Sequence, residues 1–257
     1  MKKILKRIIP EGSLLYDLCS KLVNKERRGL PPKWKFDLLL AYSNYNGQIN
    51  FVQIGSNNGT NGDPLYKYII SQGWKGVLVE PVPYLFEELK KNYLGLNDDL
   101  AFENSAVSLI SGDLKFYRLK QSNLPNLPGW YDQLGSFNKE VVEKHRSAIP
   151  DFDDLLIEDT VNGITFKQLL SKYSIVKLDV LHIDTEGYDY EILKMLPFET
   201  LTIDLIMFEH KHLTAQDYQM GLNLLRQNGF TVGLKDASDT IAIRTDILEA
   251  SKKFKRP

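Results

Sequence analysis

The stretch Ile49-Asn50-Phe51-Val52-Gln53-Ile54-Gly55-Ser56-Asn57-Asn58-Gly59 decides how this chain is read. Its first six residues predict a strand. The loop after them is rich in glycine and asparagine, and glycine tolerates positive φ and lets a backbone come close to a ligand. Downstream, Asp63 and Pro64 mark a helix start and Gly73 its stop, which predicts a helix over 64–72. Residues 76–80 predict a second strand, Pro81-Val82-Pro83 a turn into a helix that runs to Tyr93, and 101–108 a third strand. Further strands are predicted at 114–119, 155–161, 179–184 and 204–209, with helices over 137–146, 188–196 and 214–228. Thr165 is placed to cap a short helix through Lys172. Residues 230–234 and 240–243 predict a closing hairpin.

Strands alternating with helices mean βαβ units and a mostly parallel sheet. The apolar runs at 77–79, 181–183 and 205–208 suit strands covered on both faces. The expected fold class is α/β, with helices on both faces and the antiparallel hairpin at one edge. In open sheets of this kind the ligand sits at the carboxyl ends of the strands. Residues 120–135, rich in Asn, Pro and Gly, predict a long irregular loop, and such loops usually act as lids or binding loops.

Composition agrees with one globular α/β domain plus additions. Of 257 residues, 43% are apolar and 25% charged, which excludes disorder, collagen and coiled coil. The lone Cys19 excludes an internal disulfide framework. Thirty-two basic residues against 33 acids leave −1, so no whole-protein field draws nucleic acid. No run approaches the about 18 apolar residues a membrane span needs. Lys6 and Arg7 interrupt what would be the apolar part of a signal peptide, so a soluble cytoplasmic protein is expected.

Charge is uneven. Residues 1–33 hold nine lysines and arginines against three acids, a net of +6 that leaves −7 for the rest. Ile4, Leu5, Ile8 and Ile9 lie among these charges at helical spacing. Such a helix can lie on an anionic membrane surface or dock on a partner, but the favoured reading is a solvated helix packed on its own domain. Pro31-Pro32 ends this stretch. The expected division is a basic helical extension over 1–45, a domain over 46–248 and a basic tail over 249–257.

The residues after each strand carry the candidate chemistry. Gly55 and Gly59 have GxxxG spacing, not the GxGxxG of dinucleotide sites, and no helix opens inside the loop. A ligand without a pyrophosphate is favoured. Glu80 ends the second strand 21 residues beyond Gly59, where a carboxylate accepts bonds from the vicinal hydroxyls of a ribose. Asp184-Thr185-Glu186-Gly187 offers two carboxylates for a cation, an amino group or base catalysis, and equally for capping the next helix. In Glu209-His210-Lys211-His212, His210 follows its strand directly and is a candidate general base. His182 lies inside a strand and reads as a core residue.

Together these segments resemble the FkbM-type family of S-adenosylmethionine-dependent methyltransferases. The resemblance rests on residues 51–59, on Trp74-Lys75-Gly76-Val77-Leu78-Val79-Glu80-Pro81-Val82-Pro83, and on Asn104-Ser105-Ala106-Val107-Ser108. It continues through His182-Ile183-Asp184-Thr185-Glu186-Gly187-Tyr188-Asp189 and closes with 209–213. It implies a Rossmann-like class I fold, a seven-stranded sheet with one reversed edge strand, and S-adenosylmethionine as donor. The implied donor-binding set is Gln53, Gly55, Ser56, Asn57, Gly59, Glu80, Pro81, Ser105, Ala106, Asp184 and Glu186. Within it, Gly55, Asn57 and Gly59 line the methionine part, Glu80 holds the ribose, and Ser105 and Ala106 lie beside the adenine. Where the family's loop often carries an aspartate, this chain has Asn58, so Asp184 or Glu186 is left to meet the donor's amino group.

By this resemblance the expected reaction is O-methylation of a sugar, a glycan or a small polyhydroxylated metabolite, with nucleic acid not expected as acceptor. His210 is the first candidate base and Asp184 the second. A divalent cation such as Mg2+ on Asp184 and Glu209 is the alternative means of activating the hydroxyl. Trp130 and Tyr131 offer aromatic faces to a sugar ring. The rival readings are a methyltransferase-like binding module without activity and, weakened by the glycine spacing, a nicotinamide-dependent oxidoreductase.

Overall fold

Side chains of a strand alternate between its two faces, and in β1 (Asn50–Ile54) this alternation divides the core. Phe51 joins one apolar cluster, while Val52 and Ile54 join the other. The computed structural model describes residues 30–35 and 37–253. After β1 come β2 (Lys75–Val79), β3 (Leu100–Glu103), β4 (Ala106–Val107), β5 (Gly112–Leu119) and β6 (Gly135–Ser136). The remaining strands are β7 (Leu156–Ile164), β8 (Lys177–Ile183), β9 (Thr202–Glu209), β10 (Phe230–Leu234) and β11 (Asp239–Arg244).

Seven of these strands form one sheet in the order β10-β11-β9-β8-β1-β2-β3. All its pairings are parallel except those of β11, which runs antiparallel to both β9 and β10. The expected hairpin therefore sits at the edge, but its reversed strand lies one place in and β10 is outermost. Burial explains the order: Thr240 to Ile243 of β11 are all buried, whereas β10 leaves Thr231 and Leu234 partly open. Strands β8 and β9 are buried along nearly their whole length, as a sheet covered on both faces requires.

Helices cover both faces. On one side lie α1 (Leu38–Asn46), α2 (Tyr66–Gln72) and α3 (Pro83–Tyr93). Two short helices follow in the chain, α4 (Lys139–Glu143) and α5 (Phe152–Leu155). The other side carries α6 (Phe166–Lys172), α7 (Asp189–Met195) and α8 (Ala215–Gln227). The chain then turns into α9 (Thr245–Lys253), whose Leu248 joins the first face. The expected caps are in place. Thr165 and Gln168 form a capping box on α6, Thr214 accepts from Asp217 N on α8, and Asp63 accepts from Leu65 N and Tyr66 N.

A second, four-stranded sheet of order β4-β7-β5-β6 stands beside the first. The expected strand over 101–108 is divided between the two sheets. The turn between its halves is fixed by Asn104, whose side-chain amide donates to the carbonyl oxygens of Glu80 (2.8 Å) and Pro81 (3.1 Å). Packing also reaches ahead of residue 46. Trp34 donates through its backbone N to Leu234 O (2.7 Å) and through its indole to Ile241 O (3.0 Å). Most of the expected basic extension, 1–29, lies outside the described residues, as does 254–257 of the tail. Among the described residues no helix is long and apolar enough to cross a membrane.

Candidate active site

Hydrogen bonds that continue the parallel ladder draw three strand ends together. Gly55 N and Ser56 N both donate to Val79 O (3.0 Å each), and Asp184 N donates to Ile54 O (2.9 Å). The carboxyl ends of β1, β2 and β8 thus open into one cleft, and β4, β5 and β6 supply its far wall. The cleft encloses about 510 Å³, its open mouth included.

Glu80 is buried at this junction, only 3% exposed. One carboxylate oxygen accepts from Asn57 N (2.8 Å) and the other from Val82 N (2.9 Å). A carboxylate has about four acceptor positions, so two remain for a ligand's hydroxyls. Burial pushes Glu80 up to about 7, against the lowering effect of those two amides. The buried acid, the glycine loop that lines the cleft at Gly55 and Asn57, and the apolar walls of Val82, Phe116 and Phe137 fit a nucleoside.

Of the expected donor-binding residues, Gly55, Asn57, Glu80 and Pro81 line the cleft. So do Ser105, Ala106, Asp184 and Glu186. Three others stand behind it. Gln53 is buried in β1 and bonds Asp63, and Ser56 Oγ donates to Gln53 O (3.2 Å). Gly59 packs on Leu89 and Tyr93 of α3, and its carbonyl accepts from the Tyr93 hydroxyl (3.2 Å). Asn58 spends its side-chain oxygen on Thr60 N (3.2 Å) and Asn61 N (3.1 Å) within its own turn.

The expected base His210 is placed elsewhere. Its Nδ1 lies 3.1 Å from Thr240 Oγ1, its ring stacks on Tyr218 at 4.7 Å, and it does not line the cleft. The turn after β9 instead brings His212 inward, its Nε2 3.1 Å from Glu186 Oε2 and 3.7 Å from Glu209 Oε1. His145, upstream in the chain, closes on the same group, with its ring 5.3 Å from that of His212. One ligand atom from each of His145, Glu186 and His212 lies within 4.8 Å of the others. Neither His145 nor His212 was singled out by the sequence. His212 had a signal in the Glu209–Leu213 motif, two residues from the histidine chosen, and His145 had none. His182 is buried in β8 as expected, and its ring nitrogens have no partner.

The acids here crowd one another. Burial, and then the Glu186 and Asp189 carboxyls, push Asp184 well above the usual carboxyl range. Burial pushes Glu186 up to about 7, and burial followed by Asp184 raises Glu209 to about 10. Burial holds His212 down to about 4.

Trp130 is 40% exposed and meets His145 edge to face at 5.5 Å. Tyr131, expected to offer a face to a sugar, is instead buried, and its hydroxyl bonds Ser122 N (2.7 Å) and Ser122 O (3.1 Å). It anchors the 120–135 loop. A second cavity lies between this loop and the glycine loop. Asn58, Asn61, Glu88, Gln121, Asn123 and Gln133 are among its lining, and Gln133 also borders the first cleft.

Residues 53–232 match the family model of the methyltransferase FkbM domain. The chain belongs to the FkbM methyltransferase family. The matched span holds every residue that lines the cleft, and the FkbM domain here has the seven-stranded class I sheet expected of it. No curated protein sequence matches the chain significantly. Among solved structures, this FkbM domain is similar to the FkbM methyltransferase of Methylobacillus flagellatus KT. Identity is 10% and TM-score 0.46, over 77% of this chain and 44% of that one. It is also similar to precorrin-6y C5,15-methyltransferase from Geobacter metallireducens GS-15, at 10% identity and TM-score 0.39, over 79% and 84%. The N-terminal domain of human METTL16 matches at 11% identity and TM-score 0.43, over 80% and 68%. The chain spans less than half the length of the Methylobacillus protein.

Proposed function

We propose that this FkbM domain transfers a methyl group from S-adenosylmethionine to a hydroxyl oxygen of a glycan or a small polyhydroxylated metabolite. The observation that carries the reading is the buried Glu80 carboxylate. Two amides fix it with room for two more bonds, at one end of a cleft whose other end holds Asp184 and Glu186. Bound S-adenosylmethionine supplies an electrophilic methyl group on a positively charged sulfur. The protein's task is then mostly alignment and proton removal. Glu80 orients the ribose through its free acceptor positions. Asp184 takes the proton of the attacking hydroxyl as the oxygen–methyl bond forms. His210, engaged by Thr240 and Tyr218, is not assigned that task.

The second cavity supports a polyhydroxylated acceptor. Its amide side chains both donate and accept, which suits sugar hydroxyls. Trp130, partly exposed and between the lining residues Gly129 and Tyr131 in the chain, offers an apolar face.

A tritiated-methyl transfer assay against fractionated cell glycans and metabolites tests the proposal. Label is expected in a glycan or polyol fraction as a base-stable ether. Label confined to protein or RNA overturns the acceptor class. Tight donor binding with no transfer to any fraction makes the chain a binding module.

A further inference from the structure

We propose that His145, Glu186 and His212 form a binding site for a divalent first-row transition-metal ion at the rim of the donor cleft. The three come from separate segments: the turn after α4, the turn after β8 and the turn after β9. Their ligand atoms lie within 4.8 Å of one another. Ligand atoms on a tetrahedral ion stand about 3.3–3.5 Å apart, so side-chain rotations of about 1–1.5 Å close the set.

Two observations point to a ligand rather than to ordinary pairing. His212 Nε2 and Glu186 Oε2 are 3.1 Å apart, yet Glu186 Oε2 has no hydrogen-bond partner. Two atoms this close but off the line of a hydrogen bond are arranged as neighbours on a third atom would be. Two orphaned atoms also belong to this group. His145 Nε2 and Glu186 Oε2 are both buried and unpartnered. Buried polar atoms normally have partners, and an unsatisfied one is a natural place for a bound ion. Among the described residues no lysine or arginine forms an ion pair with Glu186 or Glu209.

The backbone holds the carboxylate in place. Glu186 adopts φ +49, a left-handed conformation unfavourable for a branched or long residue, and its carbonyl accepts from Ser136 Oγ at 2.8 Å. Two imidazoles and one carboxylate select an ion of the zinc or iron(II) type over Mg2+, which prefers an all-oxygen shell. The site therefore differs in residues and in ion from Mg2+ on Asp184 and Glu209. Three protein ligands leave positions open, and Glu186 also lines the cleft. An acceptor hydroxyl bound there would lose its proton more readily. That role rests on the proposed function, whereas ion binding does not.

The test uses the untagged full-length chain, stripped by chelator and dialysed. Co2+ is followed by visible absorption and Zn2+ by calorimetry, with circular dichroism as a check on folding and S-adenosylhomocysteine binding measured in parallel. One equivalent of each ion is expected to bind at micromolar affinity or tighter. His145→Ala and His212→Gln are each expected to weaken binding at least fivefold, and His210→Ala less than fivefold. Absence of stoichiometric binding, or a loss below fivefold in both ligand variants, overturns the site. Ion binding without S-adenosylhomocysteine binding sustains the site and removes the methyltransferase reading instead.

Discussion

A Cβ on Gly55 would stand 1.7 Å from the carbonyl oxygen of Asp184. The loops after β1 and β8 are in direct backbone contact at this point, and Asp184 N donating to Ile54 O holds them there. Gly55 also has φ +80, a conformation other residues avoid. The glycine loop and Asp184 thus share one joint. Gly55→Ala must strain the backbone and part the two loops, destabilising the domain by about 2–4 kcal/mol. Urea denaturation checks this, and an unchanged midpoint would show that the loops yield freely.

Glu80 gives the proposed donor site a pH dependence. Burial pushes its pKa up to about 7, so it is largely protonated below that and ionised above. Ribose hydroxyls bond the ionised form, so binding releases a proton and affinity rises with pH up to about 7 and then levels. At pH 6 about one-tenth of Glu80 is ionised, so binding should be about tenfold weaker than at pH 8. Methylthioadenosine, which has no amino-acid part to titrate, is the ligand for this calorimetric series. A flat profile contradicts the shift.

The parallel core was legible because buried parallel strands are apolar along their length. Leu181 to Ile183 and Leu205 to Phe208 announce themselves without any partner in view. Glu80 and Asp184 were legible because a strand end is a fixed place in such a sheet. The break between β3 and β4 was not, because Asn104 turns the chain by bonding carbonyls 23 and 24 residues upstream. His212 was missed for a similar reason. Past the end of β9 the strand's alternation no longer applies, and the turn geometry decides which of two histidines faces Glu186. Trp34 meets its indole's partner 207 residues downstream, a contact no local pattern encodes.

Trp130 stands partly open beside His145. Trp130→Ala is expected to raise the acceptor KM by about three- to tenfold, the size of one aromatic stacking contact, with donor affinity unchanged. Steady-state kinetics with a labelled acceptor checks this. Equal loss of donor binding would assign Trp130 to anchoring the loop.

Asp184→Asn keeps the shape of the side chain and removes its capacity as a base. The expected loss in kcat is about 10²–10⁴-fold. Donor KM should change far less, because Glu80 remains. Single-turnover methyl transfer separates the two, and a kcat within threefold of the native value would move proton removal to another group.

The most direct test of the account compares S-adenosylhomocysteine with its 2′-deoxy analogue, by calorimetry, on the native chain and on Glu80→Gln. The native chain is expected to bind the parent at least about tenfold more tightly than the analogue, as a lost bond to a charged group requires. Glu80→Gln should bind both weakly and without preference. A Glu80→Gln protein that binds the parent as tightly as the native chain would contradict the placement of the donor in this cleft.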